Sequence, residues 1–197
     1  AMAFLRYAQY INENGKLMGI DLLRYYPYGF TGLQEFSFLS YFIFYFYKFL
    51  NIFSNIFTLE LVDILYPPIA FAVSLIFFFL LVKKLFDDNT ALLATAFLAF
   101  VPSYLFRTLT GISDKESFAT IFLFAAFYFY VSSWITKDNG KAILFGILSG
   151  VTTALTNLIW GGGVFIFLAI GLFAVIEILL NKFSKKEFYG YSSWIFS

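Results

Sequence analysis

The chain has 197 residues, of which 61% are apolar and only 13% are charged, against about 45–50% and about 25% in soluble globular proteins. With a mean hydropathy of +0.82 it has too few polar groups to cover a soluble fold, so composition predicts a membrane protein. The net charge of +1 and the absence of cysteine and histidine argue against a nucleic-acid partner, a thiol nucleophile, a Ser-His-Asp triad and any metal site without oxygen ligands.

The first third of the chain predicts a polar loop followed by a helix. Residues 1–35 are the most polar part and contain several glycines. They begin without a signal-peptide pattern, so we expect them to come from the middle of a longer protein. Between Phe36 and Phe57, polar side chains recur at helical spacing: Ser37, Tyr41, Tyr45, Lys48, Asn51 and Asn55. Crossing the bilayer would bury Lys48 at a cost of roughly 2.5–3.5 kcal/mol, so the pattern favours an in-plane helix over a crossing one.

Five apolar segments follow, each bounded by charged turns or glycines. They are Ile69–Val82, which Pro67-Pro68 opens, Ala91–Phe106, Phe118–Ile135, Ala142–Ile159 and Val164–Leu180. The sequence thus predicts an all-α, polytopic membrane helix bundle with about five transmembrane helices and an external in-plane helix. Its predicted parts are an external region (1–60), a transmembrane region (61–188) with external loops at 107–117 and 160–163, and the start of a truncated segment (189–197).

Lysines predict the orientation of these segments. Successive turns place Lys83 and Lys84, Lys137 and Lys141, and Lys182, Lys185 and Lys186 on one side of the membrane. Because cytoplasmic loops carry an excess of positive charge, that side is predicted to be cytoplasmic. The loops around residues 107–116 and 160–163 then share the external face.

The loop from Arg107 to Glu116 has the strongest local signal for chemistry. Asp114 and Glu116 can face one cation where the backbone is extended or enters a helix, although in a regular helix they diverge by about 200°. Ser113 and Glu116 also match a helix capping box, with Asp114 favourable at the positive end of the helix. The two interpretations are compatible, since a first-turn pair can both cap and bind.

Two other positions have a structural and a functional interpretation. Arg107 is either an anchor that extends its charge to the membrane surface or a contact for an anionic phosphate. Trp160, followed by Gly161, Gly162 and Gly163, is either an interfacial aromatic at a hairpin or part of a loop whose backbone lies close to a lipid-linked ligand.

Three segments together resemble a known family. Residues 7–15 and 21–29 (Tyr-Ala-x-Tyr-Ile-x-Glu-Asn-Gly, then Asp-x-x-Arg-Tyr-Tyr-Pro-Tyr-Gly) resemble the first external loop of the catalytic subunit of archaeal oligosaccharyltransferase. Residues 107–116 are similar to its second acidic motif, Asp-x-Glu, and Trp160-Gly161-Gly162 to its Trp-Gly-Gly. The order and spacing of the segments agree over almost the whole chain.

The resemblance implies a GT-C-type glycosyltransferase in the cell membrane. Such an enzyme transfers a glycan from a dolichyl phosphate or pyrophosphate to the asparagine of Asn-x-Ser/Thr in an acceptor protein, outside the cell. It implies that Asp114 and Glu116 are catalytic and hold Mn²⁺ or Mg²⁺, which helps to activate the acceptor amide. It also implies that Arg107, Trp160, Gly161 and Gly162 lie beside the lipid-linked substrate.

The chain also departs from the family pattern. The first acidic motif would fall at or just before residue 1, and Asp21 and Glu35 do not replace it. The later external-loop glutamate and the C-terminal domain with its Trp-Trp-Asp motif are not in these residues, so we expect the chain alone to be inactive or very weak. The alternatives are a transporter or channel fragment that uses the acidic pair as an ion site, and another polyprenyl-phosphate-dependent glycosyltransferase.

Overall fold

A computed structural model describes residues 2–197, except for the side chains of Met2 and Glu35. Within these residues the regular elements are nine α-helices and one 3-10 turn, Gly161–Gly163. The helices are α1 (Met2–Asn14), α2 (Gln34–Asn51), α3 (Leu59–Leu85), α4 (Asp88–Ala99), α5 (Pro102–Arg107), α6 (Lys115–Ile135), α7 (Asn139–Ile159), α8 (Val164–Leu179) and α9 (Lys185–Phe196).

Four segments of the described chain are long and apolar enough to cross a membrane. They are α3, α6, α7 and the stretch Gly161–Leu179, which contains α8. The prediction of an all-α, polytopic membrane bundle is therefore confirmed. The predicted in-plane helix corresponds to α2, which is not one of the four and ends at Asn51, six residues before the predicted end.

The predicted second span, Ala91–Phe106, is not one helix. It is divided into α4 and α5, and Val101 between them has an extended backbone (φ −64°, ψ 118°). The cause is Pro102, since the ring of a proline disfavours helical geometry in the residue before it. The two helices still return along α3, because Lys83 pairs with Asp88 at one end and the Gly111 amide donates to the Ile64 carbonyl at the other (3.4 Å).

Helix α3 begins eight residues before the predicted opening at Pro67-Pro68. Thr58 caps its first turn by accepting a hydrogen bond from the Leu61 amide, and both prolines lie inside the helix. Val62 and Tyr66, upstream of the prolines, are buried. A good cap and buried apolar side chains thus extend the helix ahead of the prolines, and the extra turns carry Asp63 and Tyr66 towards the loop after α5.

Two apolar cores hold the ends of the bundle. At one end, α1 and α2 pack against the beginnings of α3 and α6 through Ala8, Ile43, Val62 and Phe118. At the other end the core joins α6, α8 and α9 through five buried residues: Ala126, Tyr130, Ile166, Ile170 and Trp194. The first core lies directly under the loop that connects α5 to α6, and so supports the candidate site.

Candidate functional site

Three charged side chains of the α5–α6 connection converge on one point. Arg107 ends α5, Asp114 is the N-cap residue of α6, and Glu116 lies in the first turn of α6. The Arg107 Nη1 atom is 2.5 Å from Asp114 Oδ2 and 3.0 Å from Glu116 Oε2. The helix entrance therefore allows two carboxylates two residues apart to face a single cation, which here is the guanidinium.

This cluster is accessible to solvent. The exposed fractions of the side chains are 49% for Arg107, 24% for Asp114 and 31% for Glu116. The hydrogen bond to Asp114 and the charge of Glu116 raise the pKa of Arg107 above its usual value. Exposed ion pairs contribute little to stability, so the pairing of Arg107 with the two carboxylates adds little to the stability of the loop.

Trp160 lies beside this cluster although it is far away in sequence. It follows α7, and its amide donates to the Thr156 carbonyl (2.8 Å). A cavity of about 210 Å³ is lined by Ser103, Tyr104, Arg107, Thr108, Glu116, Ser117, Thr120 and Trp160. A second cavity of about 570 Å³ is lined by Gln34, Lys115, Asn157, Leu158, Ile159, Trp160, Gly161 and Gly162. Trp160 borders both cavities, so the structure brings five predicted site residues (Arg107, Glu116, Trp160, Gly161 and Gly162) to one end of the bundle.

The two predicted glycines have different surroundings. A Cβ atom at Gly162 would collide with the indole ring of Trp160, whereas a Cβ at Gly161 would meet no atom within 4 Å. Gly162 is therefore needed where it is because the indole lies against its backbone. Gly161 instead leaves backbone uncovered at the wall of the larger cavity.

The predicted capping box of α6 is wrong. Helix α6 begins at Lys115, one residue later than that box requires, and no side chain caps it. The Ser113 hydroxyl donates instead to Asp63 Oδ1 of α3 (2.7 Å), and the Asp114 carboxylate is paired with Arg107. Because the helix starts at Lys115, Asp114 and not Ser113 occupies the N-cap position.

Asp63 and Tyr66 are the residues near the site that the sequence interpretation missed. Both are buried, and the Tyr66 hydroxyl donates to the Asp114 carbonyl (3.1 Å). One signal was present: Asp63 is an acid in a mostly apolar helix, and such residues in membrane proteins usually have a specific partner. The identity of that partner, 50 residues away, could not be read from the pattern.

A divalent cation fits the chemistry of Asp114 and Glu116 in part. Both are hard oxygen ligands of the kind that Mg²⁺ and Mn²⁺ prefer, and they already converge on a positive charge. Among the residues that the structure describes, no group of three or more acidic, histidine or cysteine residues could hold a metal. The pair would therefore need further oxygen ligands from water, substrate or other protein residues.

The comparisons with known proteins point to one and the same family. The family described as "Oligosaccharyl transferase STT3, N-terminal" matches residues 4–196. The STT3 subunit of the dolichyl-diphosphooligosaccharide–protein glycosyltransferase of Saccharomyces cerevisiae is 31% identical over 112 residues, which are 57% of this chain and 15% of that protein. The corresponding subunit of Schizosaccharomyces pombe is 27% identical over 133 residues, 68% of this chain and 17% of its own length. The chain thus spans a small part of the curated relatives it matches.

Proposed function

Because the chain belongs to the STT3 N-terminal family, we propose that it serves a glycosyltransferase that moves an oligosaccharide from a dolichyl diphosphate carrier to protein. The observation that carries this proposal is the family match over residues 4–196, which includes Arg107, Asp114, Glu116 and Trp160. The names of the relatives describe the same reaction. The family match does not favour the two alternatives, which are a transporter or channel fragment and another polyprenyl-phosphate-dependent glycosyltransferase.

The finer parts of the proposal rest on the loop motifs and on charge. The proposed acceptor is the asparagine of Asn-x-Ser/Thr, the carrier is a dolichyl monophosphate or diphosphate, and the source is archaeal. The reaction would take place on the outside of the cell membrane. Support for this side comes from the lysines of the opposite turns, Lys83, Lys84, Lys137, Lys141, Lys182, Lys185 and Lys186, which favour the cytoplasm.

In the proposed reaction, a bond forms between the side-chain nitrogen of asparagine and the first sugar carbon. The bond between that carbon and the phosphate oxygen breaks, its electrons leave with the lipid phosphate, and the amide nitrogen releases a proton to solvent. The membrane helices would hold the dolichyl chain. The loops at residues 107–117 and 160–163 would hold the polar groups that react.

Asp114 and Glu116 are the proposed catalytic residues and the proposed ligands of Mn²⁺ or Mg²⁺. When bound, the divalent ion would supply a positive charge that helps to activate the acceptor amide and balances the charge of the lipid phosphate. Release of the Arg107 guanidinium from the two carboxylates would leave it free to bind phosphate, for which its planar fork is suited. Trp160, the open backbone at Gly161, and Gly162 under the indole ring would border the lipid-linked substrate.

The test is glycan transfer by a full-length protein that carries this segment. We expect Asp114→Ala to lower kcat/KM more than about 100-fold and to weaken the dependence on Mn²⁺, since loss of even an outer-shell partner of a metal ligand costs about 10–100-fold. The assay follows transfer of a labelled glycan from a dolichyl diphosphate donor to a peptide that contains Asn-x-Thr, over a range of Mn²⁺ concentrations.

Asp138→Ala is the matched control for this experiment. Asp138 is an exposed acid that caps α7 at the opposite end of the bundle, so its loss should affect stability and leave the Mn²⁺ dependence unchanged. Equal effects of the two substitutions on transfer would contradict the role assigned to Asp114.

A further inference from the structure

The N-terminal part of α3 is attached to the acidic loop by a set of buried hydrogen bonds. The Ser113 hydroxyl donates its proton to Asp63 Oδ1 (2.7 Å). The Tyr66 hydroxyl has one proton, which it donates to the Asp114 carbonyl (3.1 Å), and its oxygen lies 3.2 Å from Ser113 Oγ. Two consecutive residues of the loop, one of which carries a proposed catalytic carboxylate, are thus bound to one turn of α3.

Burial makes this attachment strong. The exposed fraction is 7% for Asp63 and 2% each for Tyr66 and Ser113. Polar groups buried to this degree lose much free energy if they are left without partners. The Asp63 carboxyl group accepts its side-chain hydrogen bond from Ser113. Moving Ser113 away from α3 would therefore remove a hydrogen bond that the buried Asp63 carboxyl group accepts.

The backbone of the loop is adapted to the same contact. Gly111 has a positive φ of 82°, a conformation that glycine adopts without strain, and its amide donates to the Ile64 carbonyl of α3 (3.4 Å). Ile64 directly follows Asp63. The loop is consequently bound to α3 before and after Ser113, whereas the side chains of Arg107, Asp114 and Glu116 pair with one another and are partly exposed to solvent.

We infer that Asp63 and Tyr66 are positioning residues for the acidic pair. Through Ser113 and the Asp114 carbonyl they hold the entrance of α6 in the geometry that makes Asp114 and Glu116 converge. The catalytic consequence of this role rests on the proposed function. The attachment of the loop to α3 does not. It also gives the Ser113 hydroxyl a role, since Ser113 lies one residue before the N-cap position of α6.

Hydrogen exchange of the chain in lipid nanodiscs tests the attachment without any activity. We expect Asp63→Leu to increase the exchange rate of the amides between residues 108 and 115 by about tenfold, because it removes the acceptor of a buried hydrogen bond. Asp63→Asn keeps an acceptor oxygen at the same place and should change the rate less than about threefold. Ser113→Ala combined with Asp63→Leu should have little more effect than Asp63→Leu alone, since both remove the same bond.

Ser149→Ala is the matched control. Ser149 is as buried as Ser113 and donates to the Ala126 carbonyl of α6 (2.8 Å), in the part of the bundle away from the acidic loop. Its loss should lower thermal stability and leave exchange at residues 108–115 unchanged. Unchanged exchange in both Asp63→Leu and Ser113→Ala would overturn the inference, and so would an equal increase in Ser149→Ala.

Transfer assays on the full-length protein then separate this inference from the proposed function. Asp63→Leu should lower kcat and raise the Mn²⁺ concentration needed for half-maximal rate, and Asp63→Asn should restore most of both. If exchange increases as expected but the unsubstituted protein transfers no glycan, the proposed function fails and the attachment stands. If transfer is normal and neither kinetic quantity responds to Asp63→Leu, the positioning role is wrong.

Discussion

At the scale of single residues, Asp21 shows how a buried charge is held in the polar first part of the chain. Its carboxylate pairs with Arg6 and accepts hydrogen bonds from the Tyr7 hydroxyl (2.7 Å) and the Leu23 amide (3.1 Å). Burial by itself raises the pKa of Asp21, but the hydrogen bonds from Tyr7 and Leu23 and the charge of Arg6 outweigh it, so the pKa lies below its usual value. The ionised form therefore stabilises the fold of the loop.

This lowered pKa predicts a pH dependence of stability. The contribution of Asp21 is fully present above its unfolded pKa of about 3.9 and is lost as the pH falls through the lower folded pKa. We expect the unfolding free energy of the chain to exceed that of Asp21→Asn, and the difference to shrink as the pH falls from about 5 towards 2. Thermal unfolding in nanodiscs at a series of pH values measures this. If the difference in unfolding free energy between the two proteins did not change with pH, the charge of Asp21 would have no part in stabilising the fold.

Some features of the predicted site follow from residues that are neighbours in the sequence, and others do not. Asp114 and Glu116 were found as a pair because a helix entrance is a local feature, and local spacing decides whether two neighbours can face one cation. The partner of Ser113 was not found, because Asp63 lies 50 residues away and only packing of α3 against the loop brings it near. Tertiary contact therefore decides the partner of the Ser113 hydroxyl.

At the scale of helices, two glycines of α7 allow a close contact with α9. Gly146 and Gly150 lie one turn apart on α7, and a Cβ at either would meet the backbone of α9, at Gly190 and Trp194 respectively. In membranes, small residues spaced four apart allow two helices to approach closely, and van der Waals packing then holds them together. Residues 189–197 were predicted as the start of a truncated segment; residues 189–196 belong to α9, which packs here.

This contact predicts opposite effects for two substitutions of glycine by alanine. Gly146→Ala should destabilise the chain by about 1–3 kcal/mol, since the added methyl group overpacks against backbone. Gly171→Ala on α8 should be neutral or stabilise by up to about 1 kcal/mol, because a Cβ there meets no atom within 4 Å and alanine favours helix. Thermal unfolding of both variants in nanodiscs gives the comparison. Equal stability of the two variants would contradict the close α7–α9 contact.

At the scale of the whole molecule, the two site loops lie at one end of the bundle. Arg107 and Glu116 share a cavity wall with Trp160. At the other end, Lys186 donates to the Trp134 and Thr136 carbonyls and joins α9 to the end of α6. The break at Pro102 does not change this arrangement, since α4 and α5 together still return along α3.

The proposed side of the membrane can be tested because the chain has no native cysteine. Thr110 lies in the loop after α5 and Asn139 at the start of α7, and both are exposed. We expect a membrane-impermeant maleimide applied to intact cells to label Thr110→Cys and to leave Asn139→Cys unlabelled until the membrane is permeabilised. Labelling of Asn139→Cys alone in intact cells would place the acidic loop in the cytoplasm and contradict the proposed orientation.

By itself, the sequence determined that this chain forms apolar membrane helices and which turns between them carry charge. Both follow from residues that are neighbours along the chain, because the hydrophobic effect selects long apolar runs and the ends of those runs set the turns. Only the tertiary structure decided that Ser113 bonds to Asp63, that Trp160 lies beside Glu116, and that α9 packs on α7. Each of these contacts joins residues about 40 or more positions apart, and their partners are selected by burial and shape, which no local pattern records.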